Sequence, residues 1–286
     1  MDIAKFQLMS DLHLETPQAW PSYKDFKIYP ECPYLALLGD IGSVTDSRLF
    51  TFLEEQLRNF QIVFYLLGNH EPYGTTRQLA QTTVRAFAHK MEELRSLLGS
   101  TIGQFIFLDQ TRFDLTDSVT VLGCTLFSRI SNEQRQSVAL FCSDFSEIED
   151  WSIESHNAAH ESDVAWLNSQ VEHIAGWEPN RKIVVFTHHS PTVLEAANNP
   201  EHVKDVAQVR SAFVTDLSDQ LCWDSASVRL WAFGHTHFNC DFEDLATKKR
   251  VVSNQKGYRR TQLDAFDEAK VVWVETSLEL DARAKG

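Results

Sequence analysis

Seven residues, Asp11, His13, Asp40, Asn69, His188, His235 and His237, have the side chains and the spacing to hold metal ions. Imidazole nitrogens with carboxylate and amide oxygens suit zinc, iron, manganese and related first-row metals. Asp11 and His13 make a D-x-H step, and His235 and His237 make an H-x-H step. Side chains at i and i+2 project to the same side of extended backbone. Asp40 stands alone, and its two oxygens could bridge a pair of cations. Cations held this way would polarise substrate oxygens and supply hydroxide near neutral pH.

Each of these groups directly follows a short apolar run. The runs cover residues 6–9, 34–38, 62–67, 183–186 and 228–233, each about the length of a mean strand. Asp11 and His13 follow the first run. Asp40 follows the second through Gly39, and Asn69 and His70 follow the third through Gly68. His188 and His189 follow the fourth, and His235 and His237 follow the fifth through Gly234. Ligands of open α/β sheets bind outside the carboxyl ends of the strands, so five such ends imply one shared crevice. Glycine at 39, 68 and 234 permits sharp turns and close backbone approach. A lone D-x-H is commonplace, whereas G-N-H-E and G-H-T-H are more specific, and five motifs in order at strand ends are more specific again.

Runs at 105–108, 119–123 and 271–275 also read as strands. Residues 46–59, 76–98 and 163–174 carry apolar side chains at helical spacing, and Gly99 and Gly176 suit helix C-caps. Strands alternating with helices predict an α/β fold with a mixed sheet. Residues 105–126 hold strand-like runs with no helix between them, which predicts a meander or a second sheet. One domain over 1–286 is the simplest organisation. Two long connections remain, 20–33 and 128–160. The second reads as a lid or insertion, or as an ordinary surface loop.

The formal net charge of −14 over 286 residues argues against a broad grip on long nucleic acid. It leaves room for a small phosphorylated substrate, since two divalent cations make a local positive site. No apolar run approaches a membrane span, and residues 1–5 lack a basic signal-peptide start. The five cysteines (32, 124, 142, 222 and 240) are scattered without a C-x-x-C pair. They imply reduced thiols in a cytoplasmic protein. Nothing in the sequence fixes an oligomeric state.

The ordered set Asp11-Leu12-His13, Gly39-Asp40, Gly68-Asn69-His70-Glu71, Thr187-His188-His189 and Gly234-His235-Thr236-His237 resembles the calcineurin-like metallophosphoesterase superfamily. The resemblance implies a four-layer αββα sandwich with two mixed β-sheets. It implies two divalent metal ions (Mn2+, Fe2+/Fe3+ or Zn2+). Asp11, His13 and His237 would hold the first, Asn69, His188 and His235 the second, and Asp40 would bridge them. The implied reaction is hydrolysis of phosphate mono- or diesters by a metal-bound hydroxide. His70 would be no ligand but a catalytic group facing the substrate, with Glu71 or another acid orienting its ring. At the fourth motif His188 is favoured as ligand, because Val185 precedes it as in a V-x-x-H pattern. His189 would then stand near the pocket, as a candidate substrate contact.

A softer similarity lies at Asn254-Gln255-Lys256-Gly257-Tyr258, an N-x-x-G-Y segment found in some small phosphoesterases and also readable as a turn between strands. Arg259 is a candidate substrate contact and Arg260 could steer an anion; surface charge is the plainer reading. Trp20, Tyr23 and Tyr73 could line the pocket or serve as core. His89 and His173 read as helix surface, and His156 and His160 fall near the lid. A nuclease or cyclic-nucleotide phosphodiesterase is the alternative on the same residues. A non-catalytic scaffold is disfavoured because every ligand position is filled. A large protein phosphatase is disfavoured because Leu66-Leu67, not arginine, precedes Gly68.

Overall fold

The computed structural model describes residues 3–198, 208–258 and 265–276. Arg259, Arg260 and His202 lie outside the described residues.

Strand β1 (Ile3–Met9), β2 (Tyr34–Leu38) and β3 (Ile62–Leu66) follow the expected runs. They are separated by helix α1 (Ser47–Asn59) between β2 and β3. A two-residue strand β4 (Thr75–Thr76) then leads into helix α2 (Arg77–Leu98), β5 (Gln104–Phe107), β6 (Thr111–Asp114) and β7 (Val119–Cys124). Short helices α3 (Arg135–Phe141) and α4 (Asp144–Glu147), strand β8 (Ile148–Glu149) and the long helix α5 (Ile153–Trp177) come next. The chain continues through β9 (Lys182–Thr187), α6 (Leu221–Asp224), β10 (Val228–Phe233), β11 (Cys240–Glu243), β12 (Arg250–Ser253) and β13 (Val271–Glu275).

Two mixed sheets result. The first has the order β13-β1-β2-β3-β5, parallel except for antiparallel β13. The second has the order β11-β12-β10-β9-β7-β6, parallel except for the antiparallel edges β11 and β6. Alternation along the strands sorts their side chains into three apolar layers. Phe6, Leu8, Ala36, Phe64, Val184, Phe186 and Leu230 meet between the sheets. Leu35, Leu37, Val63 and Tyr65 face the other way, onto Leu49, Phe52 and Leu53 of α1 and Val84, Phe87 and Met91 of α2. Ile183, Val185 and Trp231 turn outward onto Leu167, Val171 and Ile174 of α5 and Cys222 and Trp223 of α6. Helix, sheet, sheet, helix is the expected four-layer arrangement. The central strands β7 and β9 are buried at every residue, as expected for parallel strands covered on both faces.

The helix starts have local causes. Asp46 accepts from Arg48 N, Thr76 from Leu79 N and Ser152 from Ser155 N, each cap contributing about 1 kcal/mol. Gly99 does cap α2. Gly176 caps nothing: it lies inside α5, which begins ten residues before the expected start and ends at Trp177. The run at 105–126 splits between the sheets, β5 in the first and the β6–β7 hairpin in the second. Segment 128–160 holds α3, α4, β8 and the opening turns of α5. Its tiny strand β8 pairs with β4 just beyond the G-N-H-E motif.

Candidate active site

The strand ends of both sheets are sewn together by backbone hydrogen bonds. Asp11 N donates to Gly39 O (3.0 Å), His13 N to Asp40 O (2.9 Å) and Gly234 N to His188 O (2.8 Å). Gly39 sits at φ +83°, and a Cβ on Gly68 would lie 2.1 Å from Asp40 Oδ1. Those two positions therefore exclude any side chain. The D-x-H and H-x-H pairs do not converge by extended geometry. Asp11 (φ +52°), His13 (+45°), Asp40 (+54°), His235 (+69°) and His237 (+47°) all occupy the left-handed region. The turn, not the pleat, aims them inward, and this uncommon conformation is the kind of strain that clusters at functional sites.

All seven predicted metal ligands come together. Asp11, His13, His188 and Asp40 are almost wholly buried, while His237 is half-buried. Asp40 Oδ1 accepts from His70 N at 2.8 Å. Its Oδ2 lies 3.5 Å from His188 Nε2 and 3.9 Å from His13 Nε2, between the two halves of the cluster. His188 Nδ1 donates to Leu38 O at 2.8 Å. Its Nε2 therefore turns a lone pair toward Asn69 Oδ1 at 3.0 Å. The Asn69 amide is oriented by Asp144, which accepts from Asn69 Nδ2 at 2.8 Å and from Tyr73 OH at 2.6 Å. On the other side His13 Nδ1 donates to Glu15 Oε1 at 3.3 Å. Its Nε2 meets His237 Nε2 at 3.1 Å, and Asp11 Oδ1 lies 3.3 Å from the same His237 nitrogen.

His188 Nε2 and Asn69 Oδ1 thus face each other as two acceptors across a short gap, while His237 Nε2 lies within reach of both His13 Nε2 and Asp11 Oδ1. The His188–Asn69 meeting point calls for a positive charge, either a proton on the ring or a metal ion shared by both. Without metal the cluster attracts protons. Burial opposes charge on His188, but the carboxylate of Asp40 overcomes it and pushes its pKa up to about 10. Burial likewise opposes charge on Asp11, yet the hydrogen bond from His237 and the nearby histidines hold it down to about 2. The donor set is nitrogen and oxygen only, and the residues cluster as Asp11–His13–His237 and Asp11–Asp40–His188. These residues fit divalent first-row ions.

His188 and His189 part company. His189 is fully buried, with its ring 4.0 Å from that of His235 and 5.3 Å from Phe127. Neither of its ring nitrogens has a hydrogen-bond partner, although one of them lies within metal-sharing distance of His188 and His235. It is not on the cavity wall, the position a substrate contact needs. His156 and His160 are also buried and off that wall.

A cavity of about 680 Å³ opens over the cluster, with Asn69, His70, His235 and His237 on its floor. His70 Nδ1 lies 3.5 Å from Glu15 Oε1, and Nε2 lies 3.2 Å from Tyr258 OH. Its ring stacks on Tyr73 at 4.3 Å. Burial disfavours charge there, but Asp40 and Glu15 push the His70 pKa up to about 9. Glu71 does not orient that ring. It is fully buried and accepts from Gly68 N (2.7 Å), Asp40 N (2.9 Å), Ile41 N (2.8 Å) and Tyr65 OH (3.2 Å). It braces the two glycine turns instead, and Glu15 is the acid beside His70.

Residues 4–239 match the calcineurin-like phosphoesterase family. The chain belongs to that family. It is accordingly a metal-dependent phosphoric ester hydrolase by class. This phosphoesterase is 26% identical over 269 residues to an uncharacterised protein of Acanthamoeba polyphaga mimivirus, covering 87% of this chain and 90% of the viral one. Its fold is similar to phosphopantetheinyl hydrolase of Mycobacterium tuberculosis, with a TM-score of 0.66, 16% identity and coverage of 94% and 95% of the two chains. A dimetal phosphatase from Danio rerio aligns at a TM-score of 0.48 with 13% identity, over 88% and 87% of the chains.

Three residues of the phosphoesterase site were not singled out from sequence: Glu15, Asp144 and the apolar Phe213 stacked on His235 at 4.9 Å. Glu15 carried a signal, since it extends the D-x-H step by another two residues. Asp144 and Phe213 carried none. The Asn254–Tyr258 segment is more than a turn. Ser10 N donates to Asn254 O, Lys256 N to Ser10 O and Gly257 N to Asp11 O. Tyr258 is thereby stacked on His13 at 4.3 Å and stands on the cavity wall. Tyr73 also lines the cavity, Tyr23 is core, and Trp20 is 77% exposed. His89 and His173 are exposed on helices, as expected.

Proposed function

We propose that the chain is a dinuclear metal-dependent phosphoesterase acting on phosphate mono- or diesters of small molecules. Asp11, His13 and His237 would hold one ion, Asn69, His188 and His235 the other, with Asp40 shared. The observation that carries this reading is the convergence of donor atoms on either side of Asp40 Oδ2, His188 Nε2 with Asn69 Oδ1 on one side and His13 Nε2 with His237 Nε2 on the other. The nitrogen and oxygen donors suit Mn2+, Fe2+/Fe3+ or Zn2+. When bound, two such cations supply Lewis acidity toward phosphoryl oxygens and lower the pKa of water toward about 7.

The chain supplies the rest. His70 stands on the cavity floor beside the shared carboxylate, where Asp40 and Glu15 favour its protonated form. It can give that proton to the departing oxygen of the ester. Glu15 fixes the rings of both His13 and His70 through one oxygen. Tyr73, stacked on His70, limits its swing. No covalent adduct of a side chain is required. The net charge of −14 favours a small substrate over long nucleic acid. No helix among the described residues is long and apolar enough to cross a membrane. The five unpaired cysteines support a reducing, cytoplasmic setting.

The test is metal dependence. Chelated protein should lose hydrolysis of a nitrophenyl phosphate monoester and a bis-ester, and regain it with manganese. Turnover that persists after exhaustive chelation would overturn the proposal.

A further inference from the structure

The cavity has two unlike halves. Its floor carries the polar cluster. Its far wall carries Val209, Ala212, Phe213 and Val214, with Phe141, 66% exposed, at the mouth. None of these residues belongs to the five motif-bearing strand ends. Val209 and Ala212 join a small core with Ile130, Val138 and Ile153, and Phe213 packs against it. Segment 128–160 therefore builds the back of this wall. Hydrogen bonds pin the two segments together: Arg129 N donates to Thr215 Oγ1 and Ser211 N to Gln134 Oε1, both at 2.7 Å.

Polar and charged neighbours of the wall, Asn198 and Arg210 among them, hold partners inside the protein. Asn198 spends its amide donors on Thr192 O and Leu194 O, and Arg210 donates to Val193 O at 3.1 Å. Burial pushes the Cys142 thiol up to about 12, so it stays neutral. Because Phe213 stacks on His235, the apolar surface begins directly at a candidate metal ligand. A group esterified to a phosphoryl group on the floor can run along it. A sugar or nucleoside would press hydroxyls against four apolar side chains and lose their hydrogen bonds to water.

We propose that the substrate carries an uncharged apolar arm, alkyl or aryl, lying against Val209, Ala212, Phe213 and Val214 while its phosphoryl group sits at the metal ligands. The inference rests on the phosphoesterase reading of the same site and narrows its substrate class.

The test uses the full, manganese-loaded chain. Binding of n-alkyl phosphonates from methyl to octyl is measured by calorimetry, beside initial rates on the matching alkyl phosphates and on a sugar phosphate. Affinity should rise about fourfold per methylene that reaches the wall, then level off where the chain meets solvent at the mouth. The kcat/KM values should follow the same order, with the sugar phosphate below octyl phosphate. The double variant Val209→Thr, Val214→Thr keeps shape but adds hydroxyls. Its chain-length slope should fall while elemental analysis still finds two metals per chain. Affinity independent of chain length, an equally good sugar phosphate, or an unchanged slope in the variant would overturn the apolar arm. Length-dependent phosphonate binding with no turnover of any ester would support the arm and overturn the phosphoesterase reading.

Discussion

On the proposed two-metal assignment, Asp144→Ala should weaken one metal site and spare the other. Asp144 lies in segment 128–160, far in sequence from every metal motif, yet its Oδ1 receives both Asn69 Nδ2 (2.8 Å) and Tyr73 OH (2.6 Å). Burial and the charge of Asp144 hold the Tyr73 phenol well above its usual range, so it is a donor. The Asn69 amide is 5% exposed, and the carboxylate decides which of its ends faces His188. Without Asp144 the amide can turn over and donate to His188 Nε2, which removes the oxygen proposed as a metal ligand. A hydrogen bond to a charged group contributes about 1.5–3 kcal/mol, and 1.4 kcal/mol is tenfold in affinity. Loss of an outer partner of this kind weakens metal binding by roughly 10–100-fold. Calorimetric titration of the metal-free variant should show one site near wild-type affinity and one weakened by that factor. Asp144→Asn retains a carbonyl acceptor without the charge and should recover most of the loss. Two sites of unchanged affinity in Asp144→Ala would refute the orientation argument. Equal damage from Asp144→Asn would mean that charge, not the hydrogen bond, matters.

Three further outcomes follow from the geometry. His70→Ala should lower kcat by roughly 10²–10⁴ and leave metal content near normal, measured by elemental analysis; collapse of metal occupancy would make it a ligand. Glu15→Ala should weaken metal binding about tenfold and cut turnover together, because one oxygen orients His13 and His70, and Glu15→Gln should be milder in both assays. His156 accepts from Ser128 N through Nε2 and is held at about 3, chiefly by burial and then by the charge of His160. A lowered folded-state pKa means the neutral form stabilises the fold above the unfolded value of about 6.5. That stability drains away as pH falls from there toward about 3. Urea unfolding at pH 7.5 and 5 should show wild type losing about 2 kcal/mol more than His156→Gln; parallel losses would contradict this.

The parts of the site legible in sequence are those where one strand both buries and delivers. β1, β2, β3, β9 and β10 read as apolar runs because they are covered on both faces, and the candidate ligands sit within four residues of their ends. Edge strands β6 and β11 are only four residues long and partly exposed throughout, too short for a period to register. Gly176 read as a stop, but a Cβ there meets nothing, and α5 continues past it on the anchorage of Val171 and Ile174. The conformation of the ligand turns was hidden for a different reason. Positive φ at Asp and His is set by bonds such as Asp11 N to Gly39 O and the Glu71 braces, which join segments distant in sequence. Asp144, Phe213 and the apolar wall come from stretches with no motif, and their role arises only from where segment 128–160 docks.

Anomalous diffraction from crystals of the manganese-loaded chain tests the central claim most directly. Two peaks are predicted, one among Asp11, His13 and His237 and one among Asn69, His188 and His235, with Asp40 touching both. A single peak, or two that do not share Asp40, would contradict it.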